Sequence, residues 1–309
     1  MKSRNHGRRH FMGTLAGGAA YLAARGGGVP LMGQSQITQP PATTPPDSGL
    51  IYQCPMDPDV RSNVEGVCPR CGMKLRAGIP EPIEFPMDLK VTPPAVKVGE
   101  EAQIEFSVLD PENGKLIQHF QIVHEKLFHM FVISQDLQYF VHDHPTFGPD
   151  GRFRYEITFP KPGLYRILGD FYPDGATPQL IAKTIIVHGE SQPIPSLNRD
   201  YSTKDAGNMQ VSLETDPAEA IAGSKTIMFF KLNPAEGLEK YIGAWGHMLA
   251  ASDDLIDLIH THPFIADGGP NMQFNVYFPR PRTYRVWVQF QRKGVVNTAY
   301  FDIPAHELG

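Results

Sequence analysis

The sequence has few cysteines, no excess of positive charge and no long apolar runs, and each shortage excludes a class of protein. Three cysteines among 309 residues, all within positions 54–71, cannot form the disulfide framework of a small secreted domain. A net charge of −5 does not provide the concentrated basic surface that nucleic acid binding requires. No apolar run reaches the roughly 20 residues that span a bilayer, so no membrane-spanning helix is expected outside a signal segment.

Glycine and proline, in contrast, are abundant, with 29 residues each, so together they make up 58 of the 309 residues. This share is well above the roughly 12% that is usual for globular proteins. No long stretch shows the 3.6-residue apolar period of an amphipathic helix. The composition therefore predicts short strands joined by many turns and argues against a helical bundle.

Residues 1–28 resemble a bacterial export signal. Arg8 and Arg9 precede 14 mostly apolar residues, 11–24, a length typical of a signal-peptide core. The arginine pair is similar to the twin-arginine (Tat) signal; a general secretory signal with a chance arginine pair is the alternative. We expect a periplasmic or extracellular protein that touches the membrane only through this segment, if it stays uncleaved. Residues 29–49 are polar and proline-rich, which is typical of a flexible linker.

Residues 50–78 form a cysteine module. Cys68 and Cys71 have the spacing of a C-x-x-C knuckle, and Cys54 lies 14 positions upstream. Such a knuckle places two thiolates on one tight turn, and Gly72 permits the left-handed backbone that this turn needs. A segment this short has no core of its own, so a bound soft metal ion is expected to stabilise its fold. A disulfide between two of the three thiols is the alternative.

The module resembles the heavy-metal-binding domain of copper/silver efflux adaptors and P-type metal ATPases. That family has the pattern Tyr-x-Cys-Pro-Met-His-Pro followed by Cys-Pro-x-Cys-Gly-Met-x-Leu, and residues 52–75 depart from it at Asp57, where the family has histidine. The resemblance implies metal ligands at Cys54, Asp57, Cys68 and Cys71, and a metal-efflux or metallochaperone partner. A carboxylate at position 57 suits Zn(II) better than Cu(I).

The remaining chain contains one domain twice, at residues 85–189 and 209–305, joined by a polar linker at 190–208. A set of three histidines recurs at an offset of 118 positions, and Tyr165-Arg166 recurs as Tyr284-Arg285 at an offset of 119. This many matches at nearly the same offset indicate a duplicated domain. The repeated histidines are His129, His142 and His144 in the first copy and His247, His260 and His262 in the second.

Each copy has the pattern of short strands. In the first copy, alternation of apolar and polar residues, or β-branched and aromatic content, predicts strands at 102–109, 128–134, 138–142, 152–159, 164–171 and 180–188. Turns rich in glycine, proline, asparagine and aspartate separate them. Six or seven strands at this spacing predict an all-β chain with two tandem immunoglobulin-like or cupredoxin-like antiparallel β-sandwich domains. The repeats distantly resemble YtkA-like secreted domains.

The spacing of the histidines predicts that each set converges on one point. If the hairpin of the first copy is symmetric between positions 135 and 136, His129 lies directly opposite His142 on the neighbouring strand. His144 lies two residues further along and therefore on the same face. The second copy repeats the arrangement about positions 253 and 254.

Three neutral imidazoles suit Zn(II), Cu(II) or Ni(II) and leave a fourth coordination position open. The expected cofactor is therefore a zinc or copper ion. Neighbouring side chains that would add to these sites are His124, Met130 and Asp143 in the first copy, and Met248 and Thr261 in the second. The alternative is that the histidines are structural and hydrogen-bond across the sheet or to turn backbone.

These patterns predict a non-enzymatic exported protein that sequesters, buffers or hands over copper or zinc. One alternative is a metalloenzyme that activates water or oxygen at the open position of a three-histidine site. Against it, no acidic general base recurs with the histidines, since Asp143 aligns with Thr261. A second alternative is a cell-surface interaction protein in which the metals are only structural.

Overall fold

The computed structural model describes residues 51–57, 60–78, 83–190, 193–264 and 267–309. These residues form 21 β-strands and no helix, so the predicted all-β fold class is confirmed. No helix in these ranges is long and apolar enough to cross a membrane. The predicted signal segment at 1–28 and the linker at 29–49 lie outside the described residues.

The cysteine module is a three-stranded antiparallel sheet, in the order β2-β1-β3. Its strands are β1 (Tyr52–Gln53), β2 (Arg61–Ser62) and β3 (Arg76–Ala77). Two of the three cysteines, Cys54 and Cys68, are buried with Leu75 in its small core. So few apolar side chains bury little surface, and this agrees with the expected need for a metal ion.

The first repeat is a sandwich of two four-stranded antiparallel sheets, in the orders β4-β5-β9-β8 and β11-β10-β6-β7. Its strands are β4 (Met87–Thr92), β5 (Glu101–Val108), β6 (Phe128–Ser134), β7 (Phe140–Asp143), β8 (Thr146–Phe147), β9 (Phe153–Thr158), β10 (Gly163–Phe171) and β11 (Gln179–Val187). The six strands expected from the sequence are all present, with ends that differ by at most two residues.

The second repeat has the same architecture, with sheets in the orders β12-β13-β15-β19 and β14-β21-β20-β17-β18; β16 also pairs with β20. Its strands are β12 (Lys204–Ala206), β13 (Met209–Asp216), β14 (Ala220–Ile221), β15 (Lys225–Asn233), β16 (Leu238–Glu239), β17 (His247–Ser252), β18 (Leu258–Thr261), β19 (Asn271–Tyr277), β20 (Thr283–Arg292) and β21 (Val295–His306). The pairing of β14 with β21 is parallel.

Strand β6 and its counterpart β17 are buried at every position, which means that both of their faces are covered. Alternate residues of β6, such as Phe128 and Met130, face the interior of their own sandwich. The residues between them face the other repeat, where Phe131 and Ile133 pack with Leu249 and other apolar side chains. The two sandwiches therefore share an apolar interface, formed by the outer faces of one sheet from each.

The histidines occupy one end of this same face. In β6, His129 stands two residues before Phe131 and four before Ile133, so strand alternation points all three side chains outward. In β17, His247 is related in the same way to Leu249 and Ala251, both of which are buried in the interface. The contact between the repeats consequently encloses imidazoles together with apolar side chains.

The register of the two histidine hairpins differs from the prediction. His142 pairs with Phe131 and not with His129, and His260 pairs with Leu249 in the same way. The turn is centred one residue later than expected, since Leu137 adopts a left-handed φ of 58° and the Ser134 hydroxyl accepts a hydrogen bond from the Tyr139 amide. This shifts the pairing by two residues, which keeps every side chain on its predicted face.

We expect Trp287→Ala to lower the free energy of unfolding by about 3 to 5 kcal/mol, because it removes a large buried side chain. The Trp287 ring is 4% exposed and stacks on Phe140 of the other repeat, with ring centroids 4.9 Å apart. Urea unfolding of the metal-free protein measures the loss. Tyr277→Ala, which truncates a 59% exposed ring, is the control and should change stability by less than about 0.5 kcal/mol. Equal effects of the two substitutions would contradict a tightly packed interface.

Candidate metal centres

The cysteine module brings its four predicted ligand atoms within 4.8 Å of one another. The Sγ atoms of Cys54 and Cys71 are 3.5 Å apart, and the thiol of Cys68 lies 3.2 Å from Oδ2 of Asp57. A tetrahedral ion with metal–sulfur bonds of about 2.3 Å separates two sulfurs by about 3.8 Å. The four donors therefore fit a single metal ion without rearrangement of the backbone.

The knuckle and an arginine hold these donors in place. Gly72 adopts the left-handed φ of 77° expected of it, and its amide donates a 2.8 Å hydrogen bond to the Cys68 carbonyl. Oδ1 of Asp57 accepts a 2.9 Å hydrogen bond from Arg70, which leaves Oδ2 directed at the thiols. The carboxylate at the position where the family has histidine is thus oriented as a ligand would be.

One thiol of the module ionises more readily than the others. The Cys71 thiol donates a hydrogen bond to the Cys54 sulfur, and this lowers the pKa of Cys54 to about 7. Burial raises the pKa of Cys68 to about 11, and the same hydrogen bond to Cys54 raises the pKa of Cys71. Cys54 would supply a thiolate to a metal ion, and binding by the other two thiols would release their protons.

In the first repeat, His129, His142 and His144 meet at one point. Nδ1 of His129 is 3.2 Å from Nε2 of His142 and 3.2 Å from Nε2 of His144. Nitrogen ligands at about 2.05 Å around a tetrahedral ion lie about 3.3 Å apart. Two of the three separations are therefore those that one bound metal ion would impose, and all three nitrogens lie within 4.8 Å of one another.

Hydrogen bonds at the far side of two rings decide which nitrogens carry lone pairs. Nε2 of His129 donates to the Val123 carbonyl, and Nδ1 of His142 donates to Oε1 of Gln289, whose amide nitrogen is engaged with Thr298. In the neutral rings Nδ1 of His129 and Nε2 of His142 then carry no hydrogen. Two lone pairs face each other at 3.2 Å, an arrangement that a cation between them stabilises.

The second repeat has an equivalent cluster of His247, His260 and His262. Nδ1 of His247 is 3.1 Å from Nε2 of His262, and Nε2 of His247 donates to the Tyr241 carbonyl. Nδ1 of His260 donates to the Asp170 carboxylate, which in the neutral ring leaves Nε2 with a lone pair, and that buried Nε2 has no hydrogen-bond partner. The His142 and His247 rings are 5.3 Å apart, which makes the two clusters direct neighbours.

Burial keeps five of the six cluster imidazoles neutral. It lowers the pKa of His129 to about 4 and that of His144 to about 3, and the neighbouring histidines lower both further. The pKa values of His142, His247 and His262 are likewise well below the ordinary value, again mainly because of burial. Neutral rings are the form that binds a metal ion.

The side chains that were expected to supplement the clusters behave differently from one another. Met130 and Met248 face the sandwich interiors and cannot take part. Asp143 accepts a 2.7 Å hydrogen bond from Tyr155 and lies 3.8 Å from Nδ1 of His144. His124 lies against the second cluster and not the first, with its ring centroid 3.9 Å from that of His262 and 6.5 Å from that of His129.

Asp170 and Gln289 were not among the predicted site residues, although each holds a histidine of the other repeat. Both lie in strands that are otherwise mostly apolar, and they stand immediately before Phe171 and Phe290, which match at the repeat offset of 119. A polar residue at the same position of two buried strands was the signal available in the sequence. The histidine that each of these residues contacts could not be identified from the sequence, because it belongs to the other domain.

The cysteine module packs beside the second histidine cluster. Met73 contacts Val123 and Tyr172 of the first repeat, and the Arg70 guanidinium lies 4.4 Å from the centre of the Phe264 ring. A cavity of about 480 Å³ is lined by Asp57 of the module and by His262 of the second repeat, together with neighbouring side chains. A candidate ligand from each of these two centres therefore borders the same space.

Comparison with known families assigns both parts of the chain. The family described as Domain of unknown function (DUF8832) matches residues 86–188 and again 203–307, and the family described as Heavy metal binding domain matches residues 51–77. A copper-transporting P-type ATPase of Rhizobium leguminosarum bv. viciae is 47% identical over 49 residues, which are 16% of this chain and 6% of the ATPase. The similarity to the ATPase is therefore confined to a small part of both proteins.

Solved structures resemble the chain only remotely. The Escherichia coli adhesin FdeC has a TM-score of 0.26 at 13% identity, covering 77% of this chain and 71% of the adhesin. A segment of two fibronectin type III domains from chicken tenascin has a TM-score of 0.22 at 9% identity, covering 72% of this chain and all of that segment. At such scores the fold is best described from the strands and sheets themselves.

The depressed pKa values predict that the metal-free protein loses stability in acid. An unfolded histidine has a pKa of about 6.5 and folded His129 one of about 4, so the unfolded chain binds more protons between these values. Stability is then complete above pH ~6.5 and falls as the pH drops from about 6.5 to about 4.

Urea unfolding midpoints in the presence of a chelator, measured between pH 7.5 and 4.5, test this dependence. His129→Gln should flatten the profile, whereas His119→Gln, at an exposed position, should leave its shape unchanged. A midpoint that stays constant over this range in the unsubstituted protein would show that the buried imidazoles do not oppose protonation.

Proposed function

Because the chain belongs to the DUF8832 family, with two copies of that domain behind a heavy metal binding domain, we propose that it is an exported metal-binding protein. It sequesters, buffers or hands over copper or zinc outside the cytoplasm. Metal is bound at three centres, namely the cysteine module and one histidine cluster in each repeat. The role is binding and transfer, without catalysis.

The observations that carry this proposal are two facing lone pairs in the first histidine cluster and an unpartnered buried nitrogen in the second. Hydrogen bonds to Val123 and Gln289 leave Nδ1 of His129 and Nε2 of His142 without hydrogens at a separation of 3.2 Å. A purely structural histidine pair would place a donor against an acceptor. In the second cluster the buried Nε2 of His260 has no hydrogen-bond partner, and a bound metal ion would supply one.

The donor sets support copper or zinc. Three thiol or thiolate sulfurs with one carboxylate oxygen suit Zn(II), and three imidazoles suit Zn(II) or Cu(II). The similarity to the copper ATPase, over 49 residues, favours copper as one of the bound ions. Met56 and Met73 pack beside Cys71 and offer thioether sulfur to a softer ion.

Transfer between centres is favoured by their placement. Asp57 and His262 line the same cavity of about 480 Å³, and a second cavity of about 360 Å³ is bordered by Arg70 of the module and by His124 and His262. Candidate ligands of the cysteine module and of the second histidine cluster therefore border the same space. This supports handing over of metal within the chain before any delivery to a metal-efflux or metallochaperone partner.

A catalytic role has less support than a binding role. A hydrolytic metal site needs a base beside the metal-bound water. Asp143, beside the first cluster, is engaged by the Tyr155 hydroxyl, and the corresponding position in the second cluster is Thr261. The carboxylate of Asp170, which lies at the second cluster, is engaged by His260. Two clusters with the same three histidines but different neighbours are more readily explained by binding.

Replacing Cys54, Cys68 and Cys71 together by serine should remove one equivalent of bound metal, because hydroxyls are poor ligands for soft ions. Replacing His129 and His144 by alanine should remove a different equivalent and leave the other histidine cluster loaded. Elemental analysis after Zn(II) saturation and dialysis measures both. The matched control replaces the exposed His119 and His188 by alanine and should retain all ions; unchanged metal content in the His129/His144 variant would exclude a metal role for that cluster.

Replacing Arg8 and Arg9 by lysine should leave the precursor in the cytoplasm, because the twin-arginine signal is read by a receptor and not by its charge alone. Immunoblotting of cell fractions measures the distribution. Arg4→Lys, which changes a neighbouring arginine outside the pair, is the control and should be exported normally. Normal export of the double lysine variant would exclude the twin-arginine route and leave a general secretory signal.

A further inference from the structure

Each repeat accepts a hydrogen bond from a histidine of the other repeat. Asp170, in β10 of the first repeat, accepts a hydrogen bond from Nδ1 of His260 in the second. Gln289, in β20 of the second repeat, accepts a 2.6 Å hydrogen bond from Nδ1 of His142 in the first. The two positions correspond at the repeat offset of 119, so the contacts are related by the duplication.

The local register explains why these side chains reach across. Asp170 is paired with His129 in the ladder between β10 and β6, and Gln289 is paired with His247 in the ladder between β20 and β17. Paired residues point to the same face of their sheet, which here is the face that packs on the other repeat. Both side chains are buried, with 8% and 7% exposure, so they have no access to bulk water as an alternative partner.

The two contacts differ in charge. Asp170 presents a carboxylate to His260, whereas Gln289 presents a neutral amide to His142, and its amide nitrogen donates to Thr298. A carboxylate on the far nitrogen of a ligating histidine fixes the ring and makes its other nitrogen a stronger donor to the metal. It also places a negative charge near the cation in a poorly solvated region, where Coulomb attraction is strong.

We infer that Asp170 and Gln289 are positioning residues that complete the metal site of the opposite repeat, and that their different charge makes the second repeat's site the tighter of the two. The inference rests on the proposed function, since it requires that the histidine clusters bind metal. Duplication has therefore produced two sites with the same three ligands and unequal affinity. The two sites together are suited to bind one ion tightly and a second ion in rapid exchange.

The test uses full-length protein in which one histidine site at a time is removed. His129→Ala with His144→Ala leaves the second repeat's site and preserves the contact of His142 with Gln289. His247→Ala with His262→Ala leaves the first repeat's site and preserves the contact of His260 with Asp170. The three cysteines are replaced by serine in both backgrounds, and Zn(II) affinity is measured by competition with a chromophoric chelator.

We expect Asp170→Asn to weaken Zn(II) binding by about 10- to 100-fold at the second repeat's site, and by clearly less at the first repeat's site. Gln289→Glu should strengthen binding at the first repeat's site, although residue 289 belongs to the second repeat. The control Asp136→Asn also replaces a carboxylate by an amide, but in the hairpin loop, where Asp136 is paired with Lys161. It should leave the Zn(II) affinity of both sites unchanged.

An Asp170→Asn effect confined to the first repeat's site, or no effect at either site, would overturn the inference while leaving the proposed function intact. Absence of Zn(II) binding in both single-site proteins before any change at 170 or 289 would overturn the proposed function and the inference with it. Near-ultraviolet circular dichroism of each variant without metal shows whether the fold is retained. Gln289→Glu gives an independent result should Asp170→Asn fail to fold.

Discussion

The apolar contact between the two sandwiches is the constraint on which the rest of the structure depends. Phe131, Ile133, Leu249 and Trp287 need a partner surface, because the sheet faces that carry them would otherwise be exposed to water. Closing that contact also buries the histidines that precede them in β6 and β17. Their rings then lose solvation, their pKa values fall, and their hydrogen bonds must be made with groups of the protein.

That burial has a cost that a bound cation would offset. Neutral imidazoles with facing lone pairs in a poorly solvated space are an unfavourable arrangement, and a cation is the most direct way to relieve it. The cross-repeat hydrogen bonds to Gln289 and Asp170 orient the His142 and His260 rings, because they turn Nε2 of each ring toward its cluster. The interface is in this sense as much a part of the candidate metal centres as the histidines are.

The cysteine module follows another principle. It has almost no apolar core, and its four donors lie close together because a short knuckle and the Arg70–Asp57 ion pair hold them. Its position beside the second histidine cluster brings sulfur-rich and nitrogen-rich sites to the same cavity. Under the proposed function, copper or zinc would bind at one kind of centre and exchange with the other, which a single site could not do.

Most of the fold was predictable from the sequence, since strand alternation, turn residues and the repeat depend on local chain geometry. The strand at 128–134 was placed correctly, and the convergence of His129, His142 and His144 followed from side-chain parity even though the register was shifted by two residues. The shift arose in a four-residue turn, where a left-handed Leu137 and the Ser134 hydroxyl determine the pairing. Loop length does not reveal such details.

The sequence by itself determined the all-β class, the duplication, the metal-type spacing of the cysteines and the face on which each histidine lies, because these features follow from periodicity along one chain segment. Only the tertiary structure decided that the two histidine clusters are neighbours, that His124 belongs with the second cluster, and that Asp170 and Gln289 exchange partners between repeats. These contacts join residues 90 to 147 positions apart. They arise from the packing of two outer sheet faces, which no local pattern in either repeat specifies.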